Sequence, residues 1–212
     1  MLDRIQRTLS ELYDVEIESS VRDFVCDAET VRAAVGEGLE RGEVLLVAEE
    51  KDGIAVGLYV CPHAVDALDR HDGDAWLDER GFEAACLATE GVSHFLFLMF
   101  RAENDDAVSQ LELELQAEVD KYAAGLLAGN GVGAIRARSR SMRWHLFERA
   151  RFLDPAHTEA GQRYRKATEV AARYAAWLEH RFVVSGDFDA LRTELRRFYR
   201  LGLREKLQAG DG

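Results

Sequence analysis

The sequence predicts a predominantly helical α+β protein: a small α/β front end over residues 1–76, then a bundle of about five helices over residues 77–212, packed as one compact unit. Three observations carry this. Residues 44–49 and 54–61 are β-rich runs joined by Glu50-Lys51-Asp52-Gly53, whose Asp-Gly pair favours a hairpin turn. From about Asp78 onward only 3.6-residue periodicity recurs, interrupted by turn residues. Finally, 212 residues with 47% apolar and 31% charged side chains and two prolines suit a folded core, which excludes collagen-like and disordered classes.

The elements follow in order. Leu2, Ile5, Leu9 and Leu12 recur at helical spacing among the charges Asp3, Arg4 and Arg7, so the start reads as an amphipathic helix and not as a secretory leader. Val15 and Ile17 alternate with charged residues, and residues 21–26 form a second short strand candidate ended by Asp27 as a helix N-cap. The next helix carries Val31, Val35 and Leu39, with Gly42 placed to stop it. After the hairpin, Pro62 opens a short helix to about Leu68, and His71-Asp72-Gly73-Asp74 is a loop.

In the bundle, residues 82–101 and 107–128 form two long helices whose short link, 102–106, makes them antiparallel. Gly129-Asn130-Gly131 closes the second. A third helix is expected over 141–153, a fourth from Asp154-Pro155 to about Arg181, and a fifth after Ser185-Gly186-Asp187. The fifth carries Phe188, Leu191, Leu195 and Phe198 on one face and frays at 209–212.

The longest mostly apolar run, 91–100, is only ten residues, against roughly 20 for a membrane span. Cys26, Cys61 and Cys86 are odd in number and set among apolar residues, as reduced buried thiols are. A cytoplasmic protein with no membrane contact is expected. Charge is uneven: residues 1–131 hold 10 basic and 29 acidic side chains, residues 132–212 hold 17 and 10, so the balance runs from −19 to +7 around a net −12. Such polarity can guide a partner, and it can hold the two halves of one fold together through complementary surfaces; the second is the expectation. Arg136, Arg138, Arg140 and Arg143, with Trp144 beside them, form a candidate phosphate-binding segment, although the net charge opposes nonspecific polyanion binding.

One polar constellation stands out. Glu83, Glu90, His94 and Arg101 share a stripe of a helix that is apolar on its other sides, and Glu114 and Glu118 lie on or beside the packing stripe of the next. Folding the two antiparallel helices together pairs positions whose numbers sum to about 208, so His94 meets Glu114 and Glu90 meets Glu118. Carboxylates gathered in this way need a cation, a shared proton or a basic partner such as Arg101 or Lys121.

Three functions follow as expectations. The leading one is an accessory or protein-interaction module without chemistry of its own, in which the Glu/His/Arg cluster is a structural network. The alternative is a metal-binding or acid–base enzyme in which Glu90, His94, Glu114 and Glu118 hold a divalent metal, with His145 and Glu148 as further candidate ligands. The spacing Glu90-Gly-Val-Ser-His94 departs from the Glu-x-x-His of bundle-core diiron proteins. The second alternative is phosphate or nucleic-acid binding through the arginine segment. No Walker loop, Gly-x-Gly-x-x-Gly or Gly-x-Ser-x-Gly motif is present.

Overall fold

A computed structural model describes residues 1–36, 42–51, 53–71, 74–128 and 132–211. In chain order the elements are α1 (Leu2–Tyr13), α2 (Ala28–Val35), β1 (Glu43–Glu50), β2 (Gly53–Val60), α3 (Pro62–Asp69), α4 (Glu79–Glu103), α5 (Gln110–Leu127), α6 (Val132–Arg143), α7 (Glu159–Leu178), α8 (Phe188–Arg200) and α9 (Leu203–Gln208). The architecture is helical with one small hairpin, in line with the α+β expectation.

β1 and β2 pair antiparallel, from Glu43 opposite Val60 to Glu50 opposite Gly53. The period-two alternation turns Leu58 and Val60 inward, onto α4. The approach depends on Gly91, because a Cβ there would lie 3.0 Å from both Glu43 Cγ and Val60 Cγ2. Gly91→Val is therefore expected to push the hairpin off α4 and destabilise the protein by about 1–3 kcal/mol, read as a lowered urea midpoint at unchanged m-value.

α4 is the central rod. Ala88, Val92, Phe95, Leu96 and Phe97 are fully buried, and each large side chain among them contributes roughly 1.5–3 kcal/mol of apolar burial. Within Gly81–Glu103 an 18-residue stretch has a mean hydropathy of 1.2, but 67% of that stretch is buried inside the fold, as in a core helix. α5 packs back on it through Leu115, Val119, Tyr122 and Leu126, and α7 adds Val170, Ala171, Tyr174 and Leu178. α1 is clamped by α8: Arg196 donates to the carbonyls of Leu12 and Glu11, and Arg200 to those of Tyr13 and Asp14. These cations cover the orphan carbonyls at the C-terminus of α1 and tie the front end to the bundle.

Several boundaries differ from the sequence expectation. Residues 21–26 do not form a strand. Ser20 caps a 3₁₀ turn over Val21–Phe24, Gln6 accepts the Val21 N–H, and only Val25 bridges Leu58. α2 stops at Val35, where Gly36 takes φ 73°, and not at Gly42; Leu39 lies outside the described residues, as do Asp52, the loop residues Asp72 and Gly73, and Gly129-Asn130-Gly131. α5 begins at Gln110 and not Ala107, because Ser109 and Glu112 make a reciprocal capping box. The helix expected over 141–153 runs instead from Val132 to Arg143, then widens into a π turn at Trp144–Glu148. The next helix starts at Glu159, where the Thr158 hydroxyl accepts the Gly161 N–H, and not at Asp154-Pro155. The last helix divides at Gly202, and its end is held: Arg173 donates to the Leu207 carbonyl at 2.6 Å and pairs with Asp211 at 2.7 Å.

Candidate metal and acid–base centre

The helical hairpin of α4 and α5 delivers the expected register. His94 Nε2 stands 3.7 Å from a Glu114 carboxylate oxygen, and ligand atoms of Glu90, His94 and Glu114 all lie within 4.8 Å of one another. β1 contributes a group that helical spacing could not reveal: Glu43, seated on α4 at Gly91, faces His94 Nδ1 at 3.4 Å. The imidazole is thus flanked by carboxylates on both ring nitrogens, and its Nε2 is buried without a hydrogen-bond partner among the described residues.

Cations sit around this core. Lys121 donates to Glu90 at 3.0 Å and to Glu118 at 2.9 Å, so the pair expected to face each other is bridged by an ammonium. Arg163 on α7 lies 3.7 Å from Glu114, and the neighbouring Tyr164 favours the charged form of the same carboxylate. Burial alone would depress the His94 pKa, yet Glu43, with Glu114 and Glu90 behind it, raises it to about 9. Desolvation pushes Glu114 up to about 7 against the pull of His94, and raises Glu43 and Glu118 as well. Burial also opposes the charge on Lys121, but Glu118 and Glu90 overrule it and hold its pKa well above the ordinary range.

The other candidates separate from this group. Arg101 points to the far end of α4, pairing with Asp106 at 3.3 Å and approaching Glu112 at 3.9 Å. Glu83 is exposed at the mouth of a cleft, His145 lines that cleft while its Nδ1 donates to the Ser141 carbonyl, and Glu148 is exposed and does not line it. In the arginine segment, Arg136 binds the carbonyls of Val183 and Val184, Arg138 pairs with Asp74, and Arg143 pairs with Glu179 at 3.1 Å; Arg140 is exposed. Three of the four arginines therefore serve the fold.

The cleft has a volume of about 640 Å³, and Glu43, Glu90, Glu118 and Lys121 reach its lining, whereas His94 and Glu114 lie behind them. Cys86 also borders it, with burial pushing its thiol up to about 12, so it stays protonated and unreactive at neutral pH.

A second buried polar group went unrecognised in the sequence. Asp120, on the opposite side of α5 from the His94 stripe, accepts from Tyr13 Oη, from Ser93 Oγ at 2.6 Å and from Gln116 Nε2 at 2.7 Å. Gln116 in turn accepts from the fully buried Lys206 of α9 at 2.7 Å.

The chain matches no family model, no curated protein and no solved structure.

Proposed function

We propose that Glu90, His94 and Glu114 bind one divalent transition-metal ion, and that the protein uses this centre on a small molecule in the adjoining cleft. One observation carries the reading: a buried imidazole whose Nδ1 is held by Glu43, and whose Nε2 has no hydrogen-bond partner but two carboxylates close by. A carboxylate on the distal nitrogen is the usual outer-shell support of a metal-bound histidine, fixing the tautomer that presents a lone pair. One imidazole with two carboxylates suits zinc, manganese or iron. Such an ion would supply Lewis acidity or an acidified water beside Glu90, the member of the group that opens to the cleft.

The test is elemental analysis of protein purified without chelator. About one equivalent of metal per chain is expected in the wild type and none in His94→Ala. Thermal stability should fall with EDTA and recover with added metal, since a ligand of the native state alone stabilises it. Protein that stays metal-free after incubation with zinc, manganese and iron(II), with an unmoved melting curve, would sink this reading.

A second reading, a non-catalytic interaction module braced by a proton-sharing network, draws on Lys121 bridging two glutamates and on the apolar side chains Val25, Val47 and Ile54 exposed around the hairpin. It requires that EDTA leave stability unchanged while His94→Ala lowers it.

A further inference from the structure

We propose that the cleft binds a small organic anion, whose carboxylate or phosphate oxygens are held by Arg149 and Arg151 and whose apolar body lies on Phe82, Leu146, Phe152 and Leu153. This goes beyond the metal centre and stands without it. The cleft's volume of about 640 Å³ is that of a small-molecule site. Part of its lining is one of two π turns among the described residues, Trp144–Glu148, closed by the Arg149 N–H on the Trp144 carbonyl and followed by residues 149–154 without helix or strand; the other, Glu179–Val183, lies away from the cleft. π turns inside helices recur at functional sites because the extra residue costs stability and persists where it aims a side chain. Here it supplies His145 and Leu146 to the cleft and delivers Arg149 and Arg151 immediately after.

The chemistry of those two arginines is unspent. Elsewhere Arg136, Arg138, Arg143, Arg165 and Arg173 are taken up by carbonyls or carboxylates of the fold. Arg149 and Arg151 make no ion pair among the described residues; the Arg149 guanidinium rests over the Trp144 ring at 4.8 Å, which limits its orientations while leaving its N–H groups free to donate. Planar guanidinium donors match carboxylate and phosphate oxygens. The opposite polarity of the floor sets the ligand's direction. Glu90 and Glu118 are engaged by Lys121 and Glu43 by His94, so this end accepts a polar group but repels an anion; Glu83 and Asp154 are the other lining carboxylates, and Arg149 and Arg151, the remaining cations of the lining, form the anionic subsite. Leu153, 72% exposed beside them, offers uncovered apolar surface for the ligand body.

Calorimetric titration of EDTA-treated protein with phenylacetate, phenyl phosphate, phenylacetamide and benzylamine tests this. At least one of the two anions is expected to bind at least about tenfold more tightly than the neutral amide and the amine, and their order tells carboxylate from phosphate preference. The double variant Arg149→Gln/Arg151→Gln, at exposed positions, should keep the wild-type melting temperature and lose that advantage. Amide or amine binding as tight as the anions, undiminished anion binding by the double variant, or no anion binding up to about 10 mM overturns the proposal. Because the metal has been removed, a failed metal centre leaves these results intact, and a failed anion site leaves the elemental analysis intact.

Discussion

Asp120→Ala is expected to cost about 3–5 kcal/mol, as much as truncating a large apolar side chain of the core. The carboxylate is wholly buried and is the acceptor at which four elements meet: Tyr13 from α1, Ser93 from α4, Gln116 from α5 and, through Gln116, Lys206 from α9. Truncation strands three donors, each costing about 1–3 kcal/mol when left unsatisfied, and removes the negative charge that faces a buried amine. At roughly 2–4 °C per kcal/mol for a chain of this size, the melting temperature should drop by about 6–20 °C. A loss below about 0.5 kcal/mol would mean that the cavity rehydrates without cost, and the network would then be incidental.

The same group has a pH signature. Burial raises the Asp120 pKa from 3.8 to about 6, so between those values the folded chain binds a proton that the unfolded chain does not, and stability falls as pH rises across that window. Burial lowers the Lys206 pKa from 10.5 to about 7, although Asp120 and Glu112 pull the other way. Between 7 and 10.5 the unfolded chain holds the extra proton, so stability rises with pH, by on the order of 1 kcal/mol per unit at most. The contribution of this pair is therefore lowest near pH 6–7. Lys206→Met keeps the contacts with Phe97 and Phe198, over which the amine sits at 4.0 and 5.0 Å, and removes the alkaline rise. Urea unfolding of both proteins at pH 6.5 and 9 should diverge by at least about 1 kcal/mol; parallel curves would place the lysine's titration outside this range.

What was legible in the sequence was whatever periodicity or turn chemistry encodes locally. Asp52-Gly53 announced the hairpin, and the short link after Arg101 fixed the antiparallel pair closely enough that His94 and Glu114 were expected to meet, as they do. The groups that complete the site come from elsewhere in the chain. Glu43 lies 51 residues before His94 and reaches it only because Gly91 admits β1, a fact of packing that α4's own pattern does not contain. Arg163 belongs to a helix that Thr158 caps, although Asp154-Pro155 carries the stronger local start signal. Asp120 and Lys206 are 86 positions apart and look like ordinary surface charges within their own helices; burial, a tertiary property, gives them their role. The π turn at Trp144–Glu148 is likewise invisible to a 3.6-residue template, which assigns those residues to an uninterrupted helix.

Lys121→Met should separate the two readings of the His94 centre while lowering stability. Lys121 is 7% exposed and its ammonium bridges Glu90 and Glu118, so its removal leaves two half-buried carboxylates facing one another, at a cost of about 2–3 kcal/mol. Glu118→Gln is milder, about 1 kcal/mol, because Lys121 retains Glu90. Lys121 also competes with a metal for Glu90. If the centre binds a cation, the methionine variant has less positive charge beside it, and added zinc or manganese should restore more stability to it than to the wild type. Should the centre be a proton-sharing brace alone, neither protein responds to metal, and the variant recovers stability only under acidic conditions, where protonated glutamates no longer need the lysine. Urea midpoints measured for both proteins, with EDTA and with each metal, yield opposite patterns for the two cases.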